Sequence, residues 1–163
     1  MPKSIIYNDT HIAGEFSCKS FTPPAGSITN NAVDANAAID ATKVVQQYNK
    51  TLQRAVPSGD ETASVHLAYG DGEIIDFQVF CGTAPASGKS YKVDLQINGV
   101  TALSSVITIT DATTPLTPAA GTISVADYDA GDILSVVIDD VAGGTLGTDL
   151  FCQLIVNESP EPA

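Results

Sequence analysis

The feature that most restricts the fold is a series of short β-strand patterns, separated by turn residues, in the chain after about residue 60. In residues 91–97 the odd positions are apolar and the even positions are polar, which is the period of two that a sheet with one wet face requires. Asn98 and Gly99 follow, and both tolerate the positive φ of a type I′ hairpin turn. Strands are predicted at residues 62–68, 74–81, 91–97, 102–110, 122–125, 133–141 and 150–157. This spacing, with no helical pattern between the strands, predicts an all-β fold: an antiparallel β-sandwich of jelly-roll or immunoglobulin-like type.

Alternate apolar positions of these strands give the expected core. It consists of Val65, Leu67, Phe77, Val79, Val93, Leu95, Ile97, Ile107, Ile109, Val136, Ile138, Leu154 and Val156. Cys81 and Cys152 lie in apolar runs, where a thiol behaves as a small buried hydrophobic group. With Cys18 they make an odd, widely spaced set, so all three cysteines are expected to be reduced.

The first third of the chain has a different pattern. A turn-forming cluster at residues 57–60 separates it from the strand-rich part, so we expect a segment at 1–56 and a sandwich at 57–163 with a short flexible C-terminal tail. Residues 32–35 (AVDA) recur as residues 38–41 (AIDA). Short repeats that cannot bury their own apolar face need a partner surface, either neighbouring coils of a β-helix or other copies of the chain. The candidate contacts for docking or trimer formation are Ile28, Val33, Ile39 and Val44. A single amphipathic helix over residues 33–52, with Val44, Tyr48 and Leu52 as its stripe, is the alternative.

The net charge of −12 is distributed unevenly along the sequence. Residues 1–54 carry five basic and four acidic side chains, a net of +1, whereas the remainder carries two and fifteen, a net of −13. Phosphate binding needs a basic face, so nucleic acid is not expected as a partner. No apolar stretch is long enough for a membrane span, and the first residues lack the apolar core of a secretory signal. We therefore expect no membrane association and synthesis in a cytoplasm.

Catalytic residue types are scarce. His11 and His66 are the only histidines, and no Gly-x-Ser-x-Gly elbow is present. His66 is expected to be exposed or at a sheet edge, on the face opposite its apolar neighbours Val65 and Leu67. The sequence predicts a non-enzymatic protein without a cofactor.

The densest group of acids is a candidate ligand loop formed by Asp127, Tyr128, Asp129 and Asp132. It resembles the start of a calcium loop, but Ile138 stands where the loop needs a bidentate Glu. Asp139, Asp140, Asp71 and Glu73 could add oxygen ligands for a hard cation, yet solvated loop acids explain the pattern more simply. No metal site is predicted.

Residues 27–33 (SITNNAV) and 38–44 (AIDATKV) resemble the short N-terminal repeats of tailed-phage head fibre and capsid decoration proteins. Residues 79–85 (VFCGTAP), 93–99 (VDLQING), 117–123 (TPAAGTI) and 130–132 (AGD) resemble the C-terminal sandwich of the same family. The resemblance implies a homotrimer whose N-terminal part docks on the major capsid protein and whose heads project from the outer capsid surface of the virion. The alternative is a carbohydrate-binding adhesin or receptor-binding module, with a host-surface glycan contacted by the loop acids and by Tyr69, Tyr91 and Tyr128.

Overall fold

The strands form two antiparallel sheets packed face to face. A computed structural model describes residues 45–139, 141 and 145–159. The strands in this part of the chain are β1 (Gln46–Arg54), β2 (Glu61–Leu67), β3 (Asp71–Thr83), β4 (Ser90–Ile97), β5 (Val100–Thr101), β6 (Ile107–Thr110), β7 (Ala119–Ala120), β8 (Asp127–Tyr128), β9 (Ile133–Asp139) and β10 (Thr148–Ser159). The described ranges contain no helix. The predicted all-β sandwich is confirmed, and its arrangement is jelly-roll-like.

Each sheet combines strands that are distant in sequence. The first sheet has the order β1-β10-β3-β7, with β8 also pairing with β3. The second sheet has the order β2-β9-β4-β5, with β6 also pairing with β4. The Pro-containing connection from β6 to β7 crosses from the second sheet to the first.

The core lies between the sheets and follows the predicted alternation in most strands. Phe77, Val79, Val93, Leu95, Ile107, Ile109, Val136, Ile138, Leu154 and Val156 are buried. Val65 and Ile97 are partly buried and pack against this cluster. Tyr91, Leu134 and Leu150 are further large members of this cluster. Asn98 and Gly99 both have positive φ, 50° and 84°, at the β4–β5 hairpin, which confirms the predicted turn.

The prediction is wrong for the end of β2. Leu67 is 66% exposed, whereas His66 is only 9% exposed. The pairing between β2 and β9 shifts register between Ser64 and His66, so an extra residue at this bulge reverses which side chains face inward. The prediction assumed continuous alternation, which puts Leu67 in the core and His66 outside. Because of the bulge, His66 is buried and Leu67 is exposed.

The strand β1 lies before the predicted boundary at residue 57. It pairs along its full length with β10, from Gln46 opposite Glu158 to Arg54 opposite Leu150. Over these residues the alternative of an amphipathic helix is wrong.

Two predicted strands are shorter than expected. Near residues 102–110 only Ile107–Thr110 and Val100–Thr101 are strands. Within residues 122–125 only Ile123 pairs, through an isolated bridge to Leu103.

Candidate functional site

The candidate ligand loop is a turn held by hydrogen bonds within itself and to neighbouring segments of the chain. Asp127 and Tyr128 form β8 against β3. The backbone N–H of Asp129 donates to Asp132 Oδ2 at 2.9 Å, and Asn98 Nδ2 donates to Asp132 Oδ1 at 2.6 Å. These two hydrogen bonds, the backbone one first, hold the pKa of Asp132 below its ordinary value. Both carboxylate oxygens of Asp132 thus stabilise the turn, while Asp127 and Asp129 are exposed.

Tyr128 faces away from that loop and into the protein. Its side chain is buried, and its hydroxyl lies 3.3 Å from Glu158 Oε2. Burial, followed by the neighbouring Glu158 carboxylate, raises the pKa of Tyr128. The phenol therefore stays protonated and acts as a hydrogen-bond donor to the carboxylate.

Glu158 is the centre of a buried polar cluster that links the two sheets. The residue is 2% exposed, although carboxylates are rarely buried unless they are paired. His66 Nε2 lies 2.7 Å from its Oε2, and the backbone N–H of Tyr69 donates to its Oε1 at 3.1 Å. Since His66 belongs to the second sheet and Glu158 to the first, the cluster fixes one end of the sandwich.

Aromatic rings enclose the His66 imidazole on two sides. The ring centroids of Tyr48 and Tyr128 lie 6.0 Å and 6.1 Å from that of His66, the latter edge-on. A shallow depression nearby is lined by Ser64, Val65, His66, Leu67 and Ile133. This geometry is that of a polar link between sheets. A sequence pattern could not have revealed it, because Glu158 lies 92 residues from His66.

A second link between the sheets lies at the other end of β1. Arg54 donates two hydrogen bonds to the Glu61 carboxylate, with nitrogen to oxygen distances of 2.6 Å and 2.7 Å. Arg54 ends β1 in the first sheet, and Glu61 begins β2 in the second. The ion pair therefore joins the end of β1 to the start of β2, which are edge strands of the two sheets.

The structure describes only some of the other residues for which the sequence predicts a role. Ile28, Val33, Ile39 and Val44 lie outside them, as does Cys18, and their roles stay predictions. Cys81 and Cys152 are free and buried, as expected. Of the tyrosines considered for sugar stacking, Tyr69 is 71% exposed, whereas Tyr91 and Tyr128 are buried.

Two further results concern metals and membranes. Within the described ranges, no three side chains among His, Cys, Asp and Glu are grouped so that they could share a metal ion. Nor does this part of the chain contain a helix of the length and apolarity that crossing a bilayer demands.

The sandwich fold also occurs in viral capsids. A chain of the capsid asymmetric unit of cyanophage Pam1 is 13% identical, covers 83% of this chain and 99% of its own, and has a TM-score of 0.52. A chain from the capsid of Helicobacter pylori bacteriophage KHP30 is 10% identical over 71% of this chain and 91% of its own, with a TM-score of 0.48. A chain of turnip yellow mosaic virus is 14% identical over 74% and 97%, with a TM-score of 0.35. At such identities the Pam1 likeness shows a shared fold. No family model matches the chain, and no curated protein matches it.

Proposed function

We propose that this chain is a non-enzymatic structural protein of a virion, a homotrimer attached as a decoration or head fibre protein to the outer surface of a phage capsid. The observation that carries the proposal is the jelly-roll-like sandwich, which matches a chain of the Pam1 capsid over 99% of that chain. The resemblance of residues 27–44 to fibre and decoration repeats supports the finer assignment.

The charge distribution supports an arrangement with one docking part and one projecting part. Because β1 belongs to the sandwich, Lys50 and Arg54 count with it. Residues 1–44 then carry three basic and four acidic side chains, a net of −1, and residues 45–163 carry four and fifteen, a net of −11. An acidic domain repels its copies and stays in solvent, whereas a nearly neutral segment can lie against another protein.

Attachment would come from multiplied weak contacts. We assign docking on the major capsid protein and self-association to the residues before Val45, which include Ile28, Val33, Ile39 and Val44. Once one segment of a trimer is bound, the second and third contacts become intramolecular and their effective concentration rises. Modest contacts at each segment then give firm attachment without a cofactor.

Particle pelleting tests this assignment. The full chain and a chain beginning at Val45 are added to purified particles of the encoding virus from which the gene has been deleted. We expect the full chain to sediment with the particles and the shorter chain to remain in the supernatant. Equal sedimentation would move docking to the sandwich, and sedimentation of neither would contradict attachment to the capsid.

Light scattering after size exclusion tests self-association with the same two proteins. We expect the mass of a trimer for the full chain and that of a monomer for the chain beginning at Val45. A full-length monomer would contradict the trimer. A trimer of the shorter chain would place the self-association contacts on the sandwich.

A further inference from the structure

A shallow depression of about 320 Å³ lies at the end of β2. It is lined by Ser64, Val65, His66, Leu67 and Ile133, and we call it the β2 depression. Leu67 and Ile133 are directly opposite each other on β2 and β9, and both side chains are exposed. Because contact between apolar side chains and water is unfavourable, this surface is suited to receive another apolar side chain.

The polar groups of the β2 depression already have partners within the protein. Ser64 Oγ lies 3.2 Å from Ser135 Oγ, and His66 Nε2 lies 2.7 Å from Glu158 Oε2. Asp132 precedes the depression in the chain, and both of its carboxylate oxygens accept hydrogen bonds. These bonds leave the exposed apolar side chains as the part of the depression that lacks a partner of its own kind, so an apolar occupant fits it better than a polar ligand.

The segment that precedes Val45 is joined to the sandwich beside this depression. Gln46, the first residue of β1, is opposite Glu158, whose carboxyl group contacts His66. The ring centroid of Tyr48 lies 6.0 Å from that of His66. The start of β1 and the end of β2 are therefore neighbours across the two sheets, and the chain before Val45 begins next to the strand that lines the depression.

Residues 39–44 are long enough to cross from the start of β1 to the β2 depression. Packed sheets lie about 10 Å apart. Five residues of extended chain, from Val44 back to Ile39, span up to about 17 Å. Val44 also has the same strand parity as Tyr48, which contacts the second sheet through His66. An extended path that continues β1 therefore runs toward β2 and allows Ile39 to reach the depression.

The charge of residues 39–44 is compatible with this position. The segment carries Asp40 and Lys43, a net of zero, whereas residues 45–163 carry a net of −11. A second sandwich would be repelled by that charge, and a neutral segment is not. Because the segment is covalently joined beside the depression, its effective concentration there is on the order of millimolar. The segment of the same chain is thus favoured over a second copy as the occupant.

We propose that residues 39–44 cross the end of β2 and that Ile39 packs in the β2 depression between Leu67 and Ile133. This contact covers two exposed apolar side chains and part of a strand edge. Both features promote association with other chains when they are uncovered. The contact thus protects the sandwich at the end where the chain enters it.

The proposed contact narrows the docking assignment without depending on it. Ile39 and Val44 would bind the sandwich of their own chain, and Ile28 and Val33 would remain for docking and self-association. Since the contact lies within one chain, it can exist whether or not the protein attaches to a capsid. The pelleting experiment and the experiments below can therefore fail independently.

Hydrogen exchange of the full chain, followed by mass spectrometry, tests the contact. I39S with V44S removes two apolar side chains from residues 39–44, and I28S with V33S is the matched control. Both double variants leave every strand of the sandwich unchanged. We expect I39S with V44S to raise the exchange rate of covered amides in residues 64–67 by roughly tenfold, through loss of local protection, and the control to leave it unchanged. Equal rates in the natural chain and both variants would overturn the proposal.

Cysteine crosslinking distinguishes the segment of the same chain from that of another copy. In a full chain that carries C18S, I39C is combined with I133C or with T108C, an exposed position at the other end of the second sheet. We expect oxidation to join I39C to I133C within one chain roughly tenfold faster than to T108C, because a held contact raises the effective concentration. Non-reducing gels and mass spectrometry of peptides identify the products. Equal rates at the two positions, or links mainly between chains, would contradict the proposal.

Discussion

Glu158 shows how a single residue joins distant parts of this molecule. Its carboxyl group is buried and within hydrogen-bond distance of His66 Nε2, and it accepts hydrogen bonds from the Tyr128 hydroxyl and from the Tyr69 backbone N–H. Burial of an ionised carboxylate is unfavourable unless donors replace the lost water. The cluster therefore contributes mainly by fixing the relative position of the two sheets, and its members depend on one another.

We predict that Glu158→Ala lowers the free energy of unfolding by about 3 kcal/mol, because the buried polar atoms of His66 and Tyr128 would lose their hydrogen-bond partner. Urea denaturation followed by circular dichroism measures this change. Glu73→Ala, an exposed acid on β3, is the control and should change stability by less than about 0.5 kcal/mol. Equal effects of the two substitutions would show that the cluster does not stabilise the sandwich.

The thiols of Cys81 and Cys152 give a prediction about pH. Burial raises the pKa of both, for Cys152 to about 12. A raised pKa keeps the thiol protonated at pH values where an ordinary cysteine forms the reactive thiolate. We expect neither thiol to be alkylated by iodoacetamide at pH 8 in the native protein, and both to be alkylated in urea, as measured by mass spectrometry of the peptides. Rapid alkylation in the native state would contradict their burial.

At the scale of the strands, the sequence predicts those that carry apolar residues at alternate positions and misses those that do not. β4 was predicted almost to the residue because Tyr91, Val93 and Leu95 alternate with polar side chains. β5, β7 and β8 have two residues each, too few to show a period. The bulge in β2 is also invisible in sequence, because it depends on the pairing with β9.

β1 was missed for a more specific reason. Its inward positions include Lys50 and Arg54, so its apolar signal is limited to Tyr48 and Leu52. A spacing of four places residues on one side of a helix, but it also places them on one side of a strand. The sequence pattern is therefore equally consistent with a helix and with a strand, and pairing with β10 makes this segment a strand.

The pairing of β1 leads to a prediction about truncation. A chain that begins at Asp60 lacks β1, exposes the edge of β10 and loses the Arg54–Glu61 pair. We expect it to unfold at a lower temperature than a chain that begins at Val45, and to aggregate, because an uncovered strand edge pairs with other chains. Thermal unfolding with light scattering compares the two. Equal melting temperatures would show that β1 is dispensable.

At the scale of the whole molecule, the sandwich and the residues before Val45 have separate tasks in our proposal. The fold class and the identity of most core residues could be predicted from alternation and turns. The candidate ligand loop was found by its acids, but the structure adds that Asp132 closes the turn and that Tyr128 faces the interior.

The central proposal, that the chain is a structural component of a virion, is tested most directly by quantitative mass spectrometry of purified particles of the encoding virus. We expect the chain to be present at a constant ratio to the major capsid protein through successive purification steps, at a copy number per particle that is divisible by three. A chain that is abundant in the infected lysate but absent from purified particles would contradict the proposal.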